Sequence, residues 1–203
     1  MISKGIKALV AIVVIAAVSA SAYYFLVGRS SIGKEPVKAS IDGFFNQVKQ
    51  GNLKEAEKYT TEKSSYNDLV DQLGSGDYEE ILKQVLSKIE YKIGDVEIEG
   101  ANATAQVHIE SVDLFSFYNK HTKELNPMLE DYISGTAAEK EKVMVQFKGY
   151  LSKQLPQDIG SGDYDTAEGD VELNLVMQDG EWLIKADDSL LYYLTGKMTL
   201  LLQ

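Results

Sequence analysis

The 203-residue chain has no cysteine, and that single absence closes several routes at once. It permits no disulfide framework, no thiolate nucleophile, no thiolate metal site and no lipid attachment through sulfur. Histidine is nearly as scarce: His108 and His121 are the only two, and neither has a second histidine or a glutamate at metal-ligand spacing. Basic residues are also in short supply, 20 against 31 acidic ones. Four of the 20 fall in the first 34 residues, where no acidic residue occurs, so the rest of the chain carries 16 against 31 and a formal charge of −15. Such a surface repels phosphate backbones and anionic headgroups, which excludes nucleic acid as a partner. Without staples, stability has to come from a hydrophobic core, and roughly 160 residues is enough chain for one ordinary domain.

What the sequence does have is one long apolar run. Residues Ala8 to Val27 contain no charge, with Lys4 and Lys7 before them and Arg29 and Lys34 after. As a helix the run is about 30 Å long, the thickness of a bilayer's hydrocarbon core. Half of it is Leu, Ile, Val or Phe, each favouring insertion by about 0.3 to 0.6 kcal/mol at the helix centre. The spacing therefore predicts a cytoplasmic leader over 1–7, a transmembrane signal anchor over 8–28, a linker over 29–35 and an extracytoplasmic domain over 36–203. Ala20 and Ala22 also form a small-x-small pattern, so the alternative is a signal peptide over 1–22 and a secreted product. Tyr23 to Val27 continue the apolar run beyond that cut, and paired tyrosines suit a membrane interface, which favours the retained anchor.

Beyond the linker, Val37, Ile41, Phe44, Phe45 and Val48 recur at helical spacing, predicting a helix from Pro36 to Gln50. Asn52 with Glu55 resembles a capping box for the next helix. A short helix near Tyr66 to Leu73 follows. After Gly74-Ser75-Gly76, Asp77 is placed to cap a helix whose apolar face is Ile81, Leu82, Val85 and Ile89. The period then changes from 3.6 to 2. Tyr91 and Ile93 share one parity and Val96 and Ile98 the other, so a β-bulge belongs at Gly94-Asp95, leaving Asp95, Glu97 and Glu99 on the solvated face. Ala103, Ala105, Val107 and Ile109 alternate along a second strand. Helical patterns return between about Asp113 and Leu155, broken at Ser134 and Gly135, and a loop is expected from Pro156 to Asp165. Val171, Leu173, Leu175 and Met177 then alternate up to Asp179-Gly180, and Trp182, Ile184 and Ala186 alternate away from it. An Asp-Gly pair between two alternating runs is a strong hairpin signal. Asp187 or Asp188 caps a last helix with Leu190, Leu191, Leu194 and Met198.

The order of elements makes an α+β domain with a helical insertion between strands 2 and 3. Ile41 to Tyr59, IDGFFNQVKQGNLKEAEKY, and Met177 to Ala186, MQDGEWLIKA, carry a resemblance to the nuclear-transport-factor-two-like (cystatin-like) superfamily. The resemblance implies a cone in which a bent antiparallel sheet wraps N-terminal helices. Similar domains are common in uncharacterised secreted and membrane-anchored proteins of Gram-positive bacteria. Enzymes with this cone, such as ketosteroid isomerase and limonene epoxide hydrolase, use an Asp base in the cone, but no residue here matches those positions.

Each candidate for chemistry has a plainer reading. His108 alternates with Val107 and Ile109, which puts it on the outer face of a strand. His121, between Lys120 and Lys123, reads as solvated. The Gly-Ser-Gly-Asp-Tyr segment at 74–78 recurs at 160–164, and a glycine turn with a capping aspartate explains both copies. Asp163, Asp165, Glu168 and Asp170 suggest calcium, but Glu168 and Asn174 stand where an EF-hand loop needs Gly and Glu. Asn102-Ala103-Thr104 matches a glycosylation sequon, and Trp182 reads as a core anchor. The sequence assigns no catalytic, cofactor-binding or metal-ligating residue. It leads to a non-catalytic, membrane-tethered binding domain, whose partner is an envelope protein or a small apolar ligand. A cone-fold isomerase or hydrolase and a structural spacer in a cell-envelope assembly are the alternatives. The retained anchor predicts that the intact mass of membrane-extracted protein includes residues 1–22; a mass beginning at Tyr23 would establish the secreted form instead.

Overall fold

The computed structural model describes residues 33–73 and 79–197. The predicted anchor, the first Gly-Ser-Gly-Asp-Tyr segment with Asp77, and Met198 lie outside the described residues. Among the described residues no helix is long and apolar enough to cross a membrane.

The apolar stripe read from residue 37 onward forms helix α1, Lys34–Lys49, and Val37, Ile41, Phe44, Phe45 and Val48 are all buried. Two short helical segments follow, α2 (Leu53–Ala56) and a 3₁₀ turn, Glu57–Tyr59. The expected capping box at Asn52 does not form. The Asn52 amide instead donates to the side-chain oxygens of Gln47 (3.0 Å) and Gln50 (3.2 Å), the end of the preceding helix being nearer than the start of a four-residue one. Helices α3 (Ser65–Leu73) and α4 (Glu79–Leu86) precede the sheet. Ile89 is not on α4 as expected; it is buried in the turn after it, where the chain enters the sheet.

Strands β1 (Glu90–Glu99), β2 (Asn102–Val112), β3 (Thr166–Gln178) and β4 (Glu181–Ile184) form an antiparallel sheet in the order β1-β2-β3-β4. The pairing of β1 with β2 slips between Ile93 and Val96, the predicted bulge. The β2–β3 ladder runs unbroken from Asn102 opposite Val176 to Val112 opposite Thr166. Asp179 (φ 50°) and Gly180 (φ 89°) both take positive φ, the type I′ geometry that an Asp-Gly hairpin requires. Helix α1 is joined to both outer strands. The Ser40 hydroxyl donates to the Trp182 carbonyl on β4 (2.6 Å), while on β1 the Tyr91 hydroxyl donates to Asp42 (2.8 Å) and its ring stacks on Phe45. A helix fastened to both ends of a four-stranded sheet lies within the sheet's curve. The space between them is filled by Phe44, Phe45, Tyr66, Ile109, Leu173 and their neighbours.

Between β2 and β3 lie α5 (Leu114–Lys120), α6 (Thr122–Ser134) and α7 (Ala137–Ser161). Helix α7 departs from expectation, running through Pro156 for more than a turn where a loop was expected. Pro156 removes one N–H, but the turn that follows has its own anchorage: Leu155 and Asp158 are buried and Ile159 packs on a second apolar cluster with Val85, Phe117 and Leu125. Gly162 then ends the helix in the left-handed conformation, with Asp163 N–H bonded to the Asp158 carbonyl and Gly162 N–H to that of Ile159. That is a Schellman stop. Helix α8 (Asp188–Leu194) closes the domain. Asp187 caps it by accepting from the N–H groups of Ser189 and Leu190.

The turn after α8 locks the insertion to the core. Gly196 has φ 55°, and its carbonyl accepts from Leu114 and Phe115 at the start of α5. A Cβ at this position would lie 2.0 Å from the Val112 carbonyl oxygen. Gly196→Ala is therefore expected to cost at least about 2 kcal/mol, the left-handed penalty plus a backbone collision. Urea unfolding of the full chain measures it, and a change below 0.5 kcal/mol would contradict the packing described.

Candidate functional site

The two histidines have separate fates. His121, expected in solvent, is 9% exposed. It sits at the junction of α5 and α6, where the chain turns inward and Phe117 packs on its ring. Its Nε2 is 2.9 Å from Asp158 on α7 and its Nδ1 is 2.8 Å from the Tyr150 hydroxyl. With Asp158 ionised, Nε2 carries the proton it donates, so in neutral His121 the Nδ1 lone pair accepts from Tyr150. Asp158 is fully engaged: it also accepts from Gln154 (2.7 Å) and Lys120 (3.4 Å). Burial alone would push its acidity the other way, but the bonds from His121, Gln154 and Lys120 prevail and hold its carboxyl below the usual range. Burial pushes the Tyr150 hydroxyl up, helped by Glu124 and Asp158. Lys120 is pushed up mainly by its bond to Asp163, with Asp158 adding to it.

Beside this cluster is a cavity of about 250 Å³, walled by Asp113, Ser116, Phe117, Lys120, Asp158 and Tyr164. It is smaller than the clefts that take drug-sized ligands, roughly 300 to 1,000 Å³. Its other buried carboxylate, Asp113, is already held by Lys197 (2.7 Å) and by the Ser116 N–H (2.8 Å). A wider, open groove of about 760 Å³ runs along the start of α1, Tyr59 and the β3–β4 hairpin. Trp182 lies at its floor but is buried, the core anchor that the sequence predicted.

His108 occupies the solvated face of β2, as its parity required, with 39% of its side chain exposed. It is not isolated: Nδ1 is 2.9 Å from Asp170 directly across the β2–β3 ladder, and Nε2 is 3.8 Å from Glu110. The acidic residues considered for calcium do not form a single loop site: Glu168 and Asp170 are alternate residues on β3, and Asp163 and Asp165 precede that strand. Asp163 pairs with Lys120, Asp170 with His108, and the Asp165 carbonyl accepts from the Asp113 N–H, because the Schellman stop and the strand alternation turn successive side chains different ways. Of the second Gly-Ser-Gly-Asp-Tyr segment, Gly160 and Ser161 complete α7 and Gly162 ends it.

Periodicity did not forewarn of a third surface. Helices α6 and α7 form an antiparallel hairpin whose base joins the second core through Leu125 and Leu155. Toward its turn, Leu129, Tyr132 and Ile133 on α6 and Met144 and Val145 on α7 are exposed, Ile133 at 69% and Val145 at 68%. Leu129 and Tyr132 continue the helical stripe that begins at Leu125, so the stripe runs off the end of the core. Its pattern was legible; its lack of a covering layer was not.

No known family model matches the chain, and no curated protein does. Among solved structures it is similar to an NTF-2-like protein of unknown function from Shewanella oneidensis MR-1, with 9% identity and a TM-score of 0.41 over 76% of this chain and 98% of that one.

The geometry of the buried cluster predicts an acid-side stability signature. A carboxylate with a depressed folded value stabilises the fold above its unfolded value, about pH 3.9, and that contribution is lost as pH falls through the folded value. Asp158→Asn is expected to lose about 2 kcal/mol at pH 7. Its deficit relative to the unaltered protein should shrink below about pH 4. A deficit that stays constant from pH 7 to pH 3 would show that the carboxylate's charge is not what matters.

Proposed function

We propose that the chain is a non-catalytic interaction module of nuclear-transport-factor-two-like architecture, held outside the cytoplasm by residues 8–28, and that the α6–α7 hairpin engages a protein partner in the cell envelope. The observation that carries this reading is the set of five large apolar side chains exposed on one helical hairpin of an otherwise acidic domain. Contiguous exposed apolar surface on helices is the usual mark of an interaction site. The architecture supports the cone reading through α1 lying in the curve of a bulged four-stranded meander. The tether rests on the uncharged run Ala8 to Val27.

Two features weigh against the enzyme alternative. The interior of the curve, where a cone-fold enzyme holds its substrate, is occupied by Phe44, Phe45 and Tyr66. Of the buried ionisable groups, Asp158 and His121 spend their hydrogen bonds on each other and on Tyr150, Gln154 and Lys120. A general base must instead keep a lone pair within reach of substrate. The spacer alternative differs in requiring no particular surface at all.

A photo-reactive side chain placed at Ile133 or Val145 in cells is expected to give one discrete protein adduct, and one at exposed Asp95 none. With the probe at Ile133, the double substitution Leu129→Asp with Val145→Asp should abolish the adduct while moving stability by no more than about 0.5 kcal/mol per site, the range for surface changes. Equal adducts from all positions, or retention of function when an unrelated domain replaces residues 36–203, would overturn the proposal.

A further inference from the structure

The solvated face of the sheet carries a compact set of donors on the β2–β3 ladder. Glu110 stands directly opposite Glu168, and His108 directly opposite Asp170, one step along both strands on the same face. One donor atom from each of His108, Glu110 and Glu168 can be drawn from a region only 4.8 Å across. Glu90 on β1 faces Glu110 from the other side, so three carboxylates form a row across three strands. Like charges directly opposite one another destabilise a sheet. Lys49 answers the charge of Glu90 (3.1 Å), and Lys92 stands opposite His108 on β1. Glu110 and Glu168 still face each other across a ladder whose register fixes them there.

Acidic residues alone would not make a site; the imidazole and its orientation do. With Asp170 ionised, Nδ1 of His108 carries the proton it donates, which in the neutral ring leaves the Nε2 lone pair 3.8 Å from Glu110. A carboxylate behind one ring nitrogen and a free lone pair at the other is the arrangement that orients metal-bound histidines and raises their basicity. We propose that His108, Glu110 and Glu168 form a binding site for a divalent transition-metal ion of the Zn²⁺ type, with Asp170 as the positioning residue. One nitrogen and two carboxylate oxygens match the three-protein-ligand set that leaves a fourth position for water. The imidazole selects against Mg²⁺ and Ca²⁺, which prefer all-oxygen surroundings. With bonds of about 2.1 Å, donors around a tetrahedral ion lie about 3.4 Å apart. The present spread closes to that by rotation of two exposed glutamate side chains, with the strands unmoved. Spacing along the sequence could not reveal the whole set: His108 and Glu110 alternate on β2, but Glu168 comes from beyond the helical insertion.

Zn²⁺ titration by calorimetry on the metal-free full chain in detergent micelles tests the site. The expected result is one ion per chain, not displaced by a hundredfold excess of Mg²⁺. Affinity should fall by about tenfold or more in His108→Ala, and about tenfold in Asp170→Asn, the usual effect of losing a partner behind a ligand. Glu172→Gln, on the same face but bonded to Gln106, should change it less than twofold. Imidazole ¹⁵N spectra should show Zn²⁺ moving Nε2 of His108 while Nδ1 keeps its proton, a signature that Asp170→Asn loses. Circular dichroism checks that each variant is folded, as substitution of exposed side chains predicts. No stoichiometric binding, equal binding by His108→Ala, or displacement by Mg²⁺ would overturn the proposal. An unchanged affinity and spectrum in Asp170→Asn would overturn the positioning role.

Discussion

The domain depends on one packing constraint: α1 has to lie in the curve of the sheet with its apolar stripe inward. Val37, Ile41, Phe44, Phe45 and Val48 are almost wholly excluded from solvent, and each large side chain so buried contributes about 2 kcal/mol. The helix is fastened at two points, Ser40 to the Trp182 carbonyl and Asp42 to Tyr91, so it cannot roll without unpacking both outer strands. That position makes the rest follow. It fills the interior, so polar chemistry is pushed to the insertion and to the outer face of the sheet. It also sets the curvature that the bulge between Ile93 and Val96 accommodates.

Much of this was legible in the sequence because the relevant signals are local. Alternation in Ala103 to Ile109 and in Val171 to Met177 reports which face is buried, and the pleat leaves no other choice. The parity slip at Gly94-Asp95 and the Asp179-Gly180 turn are likewise consequences of adjacent residues. The failures arose where a distant group decided the outcome. Pro156 is a helix breaker by its own chemistry, but Leu155, Asp158 and Ile159 gain enough from α5 and α6 to carry the helix past it. Asn52 has the right identity for a cap and found better partners in Gln47 and Gln50. His121 lies between lysines in sequence, yet its environment is set by Tyr150 and Asp158, which only tertiary folding brings within 3 Å.

The two histidines show how the same pairing can lead to opposite ends. Each has a carboxylate at 2.9 Å, His121 through Nε2 and His108 through Nδ1. In the buried case Tyr150 takes the second nitrogen, Lys120 and Gln154 complete the carboxylate, and the cluster becomes a tie between α5 and α7. A buried pair of this kind is stable only when each of its polar atoms has a partner, and here each does. In the exposed case the second nitrogen is 3.8 Å from Glu110, whose charge Glu168 opposite it does not answer. Burial thus uses up the first histidine in structure and leaves the second open to a ligand.

The hairpin of α6 and α7 follows from the same limit on what the core can cover. Its stripe begins at Leu125, which is buried, and passes through Leu129 and Tyr132 to Ile133, which are not. Helices draw most of their stability from packing an amphipathic face, so the outer half of this hairpin rests on contact between its two members and on the Thr136–Glu139 capping box between them. Elements with few buried contacts open at lower cost than the core. A partner that covered Ile133 and Val145 would therefore gain apolar burial while stiffening helices already in place, and it would not have to order a disordered segment. The entropic cost of association would be correspondingly small, which favours the hairpin over the open groove at Trp182 as the contact surface we propose.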